Sequence, residues 1–465
     1  MAVSREDRCE IIERNTVLTP TGLVYLASIL SPNHTVYLFD FNGRDQNYSR
    51  LPIEFFQSVA SSSFLIFRST PPTLMYDYHI AEIVKQQNPA IQTIMLNWSL
   101  SPFSAEVLRN LPVVDYYVHD YYYEKVIPNL LEGSSLAGVT YRSHGRCIRN
   151  ESLKGEKLGD IPQPRWNLIH DFSCYYSHVK SISPYAVIRG SKGCGLKCSF
   201  CVDSEQPWDA RSPTLVAHEV SNLVNNHGVK YLSFFDNTFN FSRKWALDVS
   251  SLMGPWLKSN KVKYFINARS KGFDEELVTV LKESGLDGVS LGVESGNDDI
   301  LKRMNKRETV QHSLDTIKLL KKHSIKVYVS LIIGYLGETR DQIKDTYDFV
   351  LKAKPNGFQF SIGTPFPNTR LYQDCLERGL IPSNFSYEDF SVSLTSHTKT
   401  MSLCDVSPSE LERLMKWYYT KLYLHPEFVL PNIWWCLNHP RDLKIACQYA
   451  WVNAVRMMGG MKFSH

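Results

Sequence analysis

The sequence predicts an α/β protein in three parts: a doubly wound parallel sheet, a partial barrel of six βα units, and a helical tail. Three observations carry that prediction. Short apolar runs alternate with amphipathic stretches between Cys9 and about Arg149, and the same rhythm restarts at Tyr185. The rhythm breaks over residues 150 to 182, which are polar, hold Pro162 and Pro164 and show no period. It stops again from about Ser383, where the chain turns helical and aromatic. Alternating strand and helix patterns give parallel sheets whose binding edge lies at the carboxyl ends of the strands. The expected divisions are therefore residues 1–149, a linker at 150–182, a barrel at 183–385 and a helical subdomain at 386–465.

Each element has its own signal. In the first series the strand candidates are CEII (9–12), TVYLFD (35–40), SFLIF (63–67), IQTIML (91–96) and VDYYVH (114–119). Helical stretches such as Gly22–Leu30 and Leu74–Gln87 lie between them. In the second series YAVIRG, starting at Tyr185, opens a run of six strands. The others are 229–236, 263–268, 288–293, 326–334 and 357–362, and each is followed by helix. These strands are apolar almost throughout, as parallel strands covered on both faces should be. Six βα units make three quarters of a full barrel. In the predicted helix 340–353, Ile343, Tyr347, Val350 and Leu351 fall on one stripe, at helical spacing. The tail segment LMKWYYTKLYLHPEFVLPNIWWC (414–436) predicts packed helix over the barrel mouth.

Composition narrows the function classes. At 465 residues the chain exceeds one ordinary core. Its 51 basic and 47 acidic residues leave a net charge of only +4, so no nucleic-acid footprint is expected. The first residues hold charges where a signal peptide needs an apolar run, and no apolar stretch reaches the ~20 residues of a spanning helix. A cytoplasmic protein without an integral membrane segment is the expectation. Ten cysteines then read as thiols or metal ligands rather than disulfides.

Three of the ten stand together. In GSKGCGLKCSFCVDS (190–204), Cys194, Cys198 and Cys201 follow the first barrel strand, at the mouth where barrel sites are built. Gly190, Gly193 and Gly195 let the backbone wrap tightly enough for three thiolates to converge. Thiolates select zinc or iron–sulfur clusters. A structural zinc asks for a fourth Cys or His close by, and none follows before His218. A cubane cluster on three cysteines leaves one iron open for a small molecule.

The segment CGLKCSFC in this context resembles the radical S-adenosylmethionine (SAM) superfamily. The resemblance implies a [4Fe-4S] cluster on Cys194, Cys198 and Cys201, with SAM chelating the open iron. It further implies reductive cleavage of SAM to a 5′-deoxyadenosyl radical, fed by an external electron donor of flavodoxin or ferredoxin type. The matching segments FFDNTF (234–239), INARS (266–270), GVESGNDDILKRMNK (292–306), GYLGET (334–339) and TPFPNT (364–369) all fall at strand ends. By position, Phe200 resembles the aromatic beside the adenine and Glu294 the carboxylate that accepts from the ribose. Arg269 would meet the SAM carboxylate, Asp236 the methionyl amine, and Gly334 would let the backbone approach the nucleoside. Leu336 and Asn368 stand where the family usually has proline and glycine.

Residues 18–43 and 113–133 resemble the Rossmann-like cobalamin-binding domain fused to one large radical SAM subfamily, most of whose members are methyltransferases. That implies cobalamin-dependent methylation of an unactivated carbon in a small-molecule substrate. The alternative is a cobalamin-independent dehydratase, dehydrogenase or rearrangement enzyme. Departures from the pattern concern the second cofactor. Asn97 and Trp98 stand where the fourth strand normally ends in a glycine pair, and HDYYYE (119–124) replaces a glycine–glutamate loop. Arg68, Ser69, Thr70 and Asn97 are the candidate cobalamin contacts. Arg68 would face the corrin without ligating it, since guanidinium offers no acceptor. The aromatics Tyr121, Tyr122, Tyr123, Trp208, Trp417 and Trp434 would suit a sizeable, partly apolar substrate or plain packing.

Overall fold

The structure, a computed structural model, describes residues 2–3, 17–41, 51–153, 159, 161–176, 183–382, 385–390, 401 and 403–430. The predicted strand at 9–12 and Trp434 lie outside them. The N-terminal sheet has seven strands: β1 (Ala2–Val3), β2 (Leu38–Phe39), β3 (Phe64–Arg68), β4 (Gln92–Leu96), β5 (Tyr116–Val118), β6 (Val139–Ser143) and β7 (Arg146–Arg149). Their order is β2-β1-β3-β4-β5-β6-β7, parallel as far as β5. Helices α1 (Thr21–Leu30), α2 (Ile53–Ser61), α3 (Leu74–Gln87), α4 (Ser104–Asn110) and α5 (Tyr123–Leu131) connect them. The order reverses between β1 and β3, so a ligand crevice belongs at the carboxyl ends of β3 and its neighbours. The antiparallel hairpin β6–β7 was not among the expected strands. His144 and Gly145, both at positive φ, make its two-residue turn.

The barrel is a six-stranded parallel sheet. Its strands are β8 (Tyr185–Ile188), β11 (Tyr231–Phe234), β12 (Lys263–Ala268), β13 (Leu286–Glu294), β14 (Lys326–Ile333) and β15 (Gly357–Ile362), paired in that sequence. Beside β8, the short pair β9 (Ser191–Lys192) and β10 (Asp209–Ala210) closes the base of the cysteine loop. Helices α6 (Pro213–His227), α7 (Arg243–Ser259), α8 (Glu275–Glu283), α9 (Asp298–Arg303), α10 (Val310–Lys322), α11 (Arg340–Ala353) and α12 (Arg370–Glu377) wrap the outside. Ser212, Ser242, Asp274, Asn297, Thr309, Thr339 and Thr369 cap them in turn, each side chain accepting a first-turn N–H. Short polar caps at these points fix where every mouth loop ends. Helix α13 (Pro408–Tyr423) follows. Among the described residues no helix is long and apolar enough to cross a membrane.

An open barrel has two edge strands with unpaired backbone groups. The β8 edge is satisfied by side chains of the N-terminal domain. Val187 N–H donates to Thr19 Oγ1 at 2.8 Å, Val187 C=O accepts from Thr21 Oγ1 at 2.6 Å, and Arg189 N–H donates to Tyr25 Oη at 3.1 Å. At the other edge Phe360 N–H donates to Tyr419 of α13 at 2.9 Å. Within the expected linker, Trp166, Phe172 and Tyr175 are buried, and Tyr175 donates to Asp40 at 2.8 Å.

One fully buried ion pair binds these parts. Arg211 pairs with Glu219 of α6, and neither side chain has any exposure. Glu219 also accepts from Tyr25 of α1 at 2.9 Å and from Trp166 Nε1 at 3.0 Å. Arg211 lies over the Tyr25 ring, 5.1 Å from its centroid. Removing one partner strands the other charge in the interior, which typically costs about 3–5 kcal/mol. Glu219→Ala should therefore lower the free energy of urea unfolding by about that amount. A loss under ~1 kcal/mol would mean that the pair contributes little beyond its surroundings.

Candidate active site

The cysteine loop is held from three sides. At its base, β9 pairs with β10, and Arg211 N–H donates to Gly190 C=O at 2.9 Å. Gly193, at φ +71°, passes so close to Pro207 that a Cβ would lie 2.1 Å from the carbonyl oxygen. Gln206 C=O accepts from Cys194 N–H at 3.3 Å and Gly195 N–H at 3.1 Å, folding the loop back on itself. On the far side, Ser199 N–H donates to Met304 C=O at 2.9 Å, and its hydroxyl lies 2.6 Å from that of Tyr335. Phe200 packs with Ile300, Met304, Tyr335 and Leu371.

Cys194 and Cys198 are buried, Cys201 is half-buried, and the three thiols lie within electrostatic reach of one another. Burial pushes all three up, Cys198 to about 11, and Asp203 adds to the effect at Cys201. Such thiols do not ionise unaided and need a cationic partner at the tip of the loop. Among the described residues no three His, Cys, Asp or Glu side chains converge tightly enough for a single metal ion. A donor set of three soft thiols on one loop fits a polynuclear iron–sulfur cluster.

The other predicted residues gather at the same mouth. Glu294 ends β13 at φ +70°, just past a register shift between Gly292 and Glu294. That left-handed turn aims the carboxylate inward, and Oε1 accepts from Lys306 Nζ at 3.1 Å. A Cβ on Gly292 would sit 2.5 Å from this oxygen and 3.1 Å from Nζ, so the glycine makes room for the pair. Arg269 Nε lies 3.3 Å from Glu308 Oε1 and donates to Lys271 C=O. Arg269, Glu308, Lys306 and Glu294 thus form a row of alternating charge. Lys306 and Glu308 were not singled out from sequence. Lys306 ends the segment GVESGNDDILKRMNK and Glu308 lies two residues beyond it, which was the available signal.

Two expected SAM contacts also have partners within the protein. Asp236, expected to meet the methionyl amine, has its carboxylate buried against the loop itself. Oδ2 accepts from Gly190 N–H at 3.2 Å and Oδ1 from the Ser191 hydroxyl at 2.5 Å. Burial raises it to about 6 despite these donors. At Gly334, expected to let the backbone approach the nucleoside, a Cβ would lie 2.7 Å from Leu411 Cδ1 of α13. Asn368, at φ +65° in place of the usual glycine, donates to Trp98 C=O at 3.2 Å.

The carboxyl edge of the N-terminal sheet meets the same loop. Arg68 ends β3, is buried, and lies 4.6 Å above the Trp98 ring, which stacks on Tyr123 at 6.2 Å. Ser69 continues the sheet through its N–H to Leu96, and Thr70 caps the turn Pro71–Thr73. Asn97 is buried with its Oδ1 accepting from Leu100 N–H, while Nδ2 has no partner among the described residues. Tyr122 likewise has a buried hydroxyl without a partner there. Tyr121, Tyr122 and Tyr123 surround Lys192 of the cysteine loop. Trp208 stacks on Phe241 beside the loop, whereas Trp417 lies outside on α13, against Tyr347.

With this geometry in view, residues 188–350 match the family model of the radical SAM superfamily. The barrel is a radical SAM domain. Such a domain implies the [4Fe-4S] cluster and SAM as cofactors. An uncharacterized methyltransferase of Pyrococcus horikoshii is 27% identical over 89% of this chain and 90% of its own length. An anaerobic magnesium-protoporphyrin IX monomethyl ester cyclase of Cereibacter sphaeroides is 26% identical over 69% of this chain and 54% of its own. Among solved structures, the methyltransferase TsrM of Kitasatospora setae, with cobalamin and a [4Fe-4S] cluster bound, has a TM-score of 0.64 at 16% identity. That match covers 81% of this chain and 74% of TsrM. The cobalamin-dependent enzyme OxsB, with aqua-cobalamin and SAM bound, has a TM-score of 0.60 at 14% identity, over 91% of this chain and 61% of OxsB. The shared fold includes both the N-terminal sheet and the partial barrel.

Within the GYLGET turn of this radical SAM domain, Glu338 is fully buried and accepts from Tyr335 N–H at 3.0 Å. Burial pushes its carboxyl up to about 7 from the ordinary 4.5. The folded chain therefore holds this proton more tightly than the unfolded one. Stability should fall as pH rises from about 4.5 to about 7 and level off above. Glu338→Gln should flatten that part of the curve, measured by urea unfolding at intervals across the range. An unchanged slope would show that Glu338 does not carry it.

Proposed function

We propose that this enzyme is a cobalamin-dependent radical SAM methyltransferase acting on an unactivated carbon of a small biosynthetic substrate. The observation that carries the reading is the meeting of two binding edges. The carboxyl ends of β3, β4 and β5 abut the loop that presents Cys194, so a ligand in the crevice would sit beside the cluster. The fold likeness to TsrM and OxsB and the methyltransferase name of the Pyrococcus horikoshii relative support it.

When bound, the cluster supplies the electron that cleaves SAM, and the corrinoid supplies a methyl carrier. This chain's residues provide the seats. Cys194, Cys198 and Cys201 would hold three irons. Glu294, steadied by Lys306, would accept from the ribose hydroxyls, and Arg269 would meet the SAM carboxylate. Phe200 would lie beside the adenine. Arg68, Ser69, Thr70 and Asn97 would line the corrinoid side, where Asn97 Nδ2 and Tyr122 Oη are buried donors without partners among the described residues. Arg68 keeps a cation, never a ligand, at the end of β3. A low-potential donor of flavodoxin or ferredoxin type would supply the cluster's electron, and a reducing cytoplasm would suit the thiols.

A second reading, radical dehydration, dehydrogenation or rearrangement without a corrinoid, is favoured by one observation. Trp98 and Tyr123 stack where the resemblance places glycines. Anaerobic reconstitution with cobalamin separates the two. A corrinoid band together with the iron–sulfur shoulder, and label passing from methyl-labelled SAM into product, is the expected result. A shoulder alone selects the second reading. Alanine at Cys194, Cys198 or Cys201 should abolish the shoulder, and full activity in such a variant would sink both readings. Gly292→Ala should weaken SAM binding about tenfold, ~1.4 kcal/mol, with iron content unchanged. Unaltered SAM affinity would remove Glu294 from the site.

A further inference from the structure

We propose that Lys192 is a positioning residue for the cluster, clamped by the N-terminal domain so that the backbone presenting Cys194 is fixed from outside the barrel. The proposal rests on the reading of Cys194 as a cluster ligand.

Lys192 belongs to the cysteine loop, but its surroundings belong to the other domain. Its side chain is only 2% exposed, and Nζ donates to Tyr121 C=O at 2.5 Å and to Glu124 Oε2 at 2.7 Å. The rings of Tyr123, Tyr121 and Tyr122 stand 4.4, 4.5 and 5.4 Å from the ammonium. Three ring faces and a carboxylate are the surroundings that tolerate a desolvated ammonium. A buried ion pair is weak evidence for stability in itself, because apolar residues of similar volume often serve as well. Its place in the chain gives it a further role.

Tyr121 grips two successive residues. Its carbonyl accepts from Lys192 Nζ, and its hydroxyl accepts from Gly193 N–H at 2.9 Å. Gly193 is itself wedged against Pro207, with no room for a Cβ. The two preceding residues, Gly190 and Ser191, are held by Asp236 from the barrel side. Every residue from 190 to 193 is therefore anchored, the first two by the barrel and the last two by the N-terminal domain. Cys194 follows at once. The N-terminal domain thus completes the cluster seat as well as offering a crevice.

The test uses the reconstituted full chain. In the double variant Lys192→Met with Glu124→Gln, neither charge is left stranded. In Tyr121→Phe only the hydroxyl that holds Gly193 is lost. Iron per chain, the rate of iron loss to a chelator and the electron paramagnetic resonance spectrum of the reduced cluster are measured. Thermal unfolding of the cluster-free chain is recorded alongside. Partners standing behind metal ligands typically alter metal affinity by 10–100-fold. The double variant should therefore lose iron at least about tenfold faster with an altered resonance signal, and Tyr121→Phe should do so to a smaller degree. If both variants keep wild-type iron loss and signal, whatever happens to their unfolding temperature, the residues are structural only and the proposal is wrong. If the double variant fails to fold, Tyr121→Phe decides alone. A wild-type chain that takes up no cluster would overturn this proposal together with the functional reading, whereas a normal cluster in unaffected variants overturns this one only.

Discussion

A charge moved out of water must meet its partner in the same dry space, and two such pairs frame the cysteine loop. Lys192 near its start pairs with Glu124 of the N-terminal domain, and Arg211 at its end pairs with Glu219 of α6. Neither pair can part without exposing an uncompensated ion to a low-dielectric interior. The second pair also draws in Tyr25 from α1 and Trp166 from the intervening segment. The loop that carries the three thiols is therefore tied at both ends to groups from other parts of the fold. Interfaces between domains are often polar and loose enough to permit motion. This one is stitched by buried charges, so the N-terminal sheet and the barrel share one geometry at the mouth.

The same dependence appears in the backbone. A six-stranded partial barrel leaves β8 and β15 without outer neighbours, and unpaired N–H and C=O groups at an edge invite wrong pairing. Here Thr19, Thr21 and Tyr25 stand in for a missing strand beside β8, and Tyr419 does so beside β15. Side-chain hydroxyls satisfy these groups without extending the sheet. The strand that leads into the cysteine loop is thus supported by the first helix of the chain. Together with the clamp on Lys192, this explains physically why the N-terminal fold has to be present even before any ligand is considered.

Much of this architecture was legible in the sequence because periodicity is a local signal. Parallel strands covered on both faces read as apolar runs, and helical spacing such as Ile343, Tyr347, Val350 and Leu351 marks the helices between them. The cysteine spacing and the strand-end motifs placed the mouth. What escaped was set by distant partners. Lys192 looks like any loop lysine until Glu124 and the three tyrosines, some 70 residues earlier, close around it. Trp166 sits in a stretch without period, yet is buried because Glu219 needs its indole N–H. The roles of Asp236 and Gly334 came from their positions in the resemblance, and the contacts of Asp236 with Gly190 and Ser191 and of Gly334 with Leu411 are ones no local pattern reveals. The hairpin β6–β7 escaped because SHGR gives a turn signal only when a left-handed conformation is expected of His144.

The N-terminal crevice combines two opposite tendencies. Large rings at Trp98 and Tyr123 fill the edge of β4 and β5, which stiffens the edge and brings aromatic faces to the Arg68 and Lys192 cations. Beside them, Asn97 Nδ2 and Tyr122 Oη are buried without acceptors among the described residues. A buried donor left unmade costs about 1–3 kcal/mol. Packing alone would remove that cost by placing an apolar side chain at either position. Both donors stand at the carboxyl edge, next to the charge cage that holds the cysteine loop. The rings therefore stiffen this edge, while the amide and phenol leave it with hydrogen-bonding capacity that packing does not use.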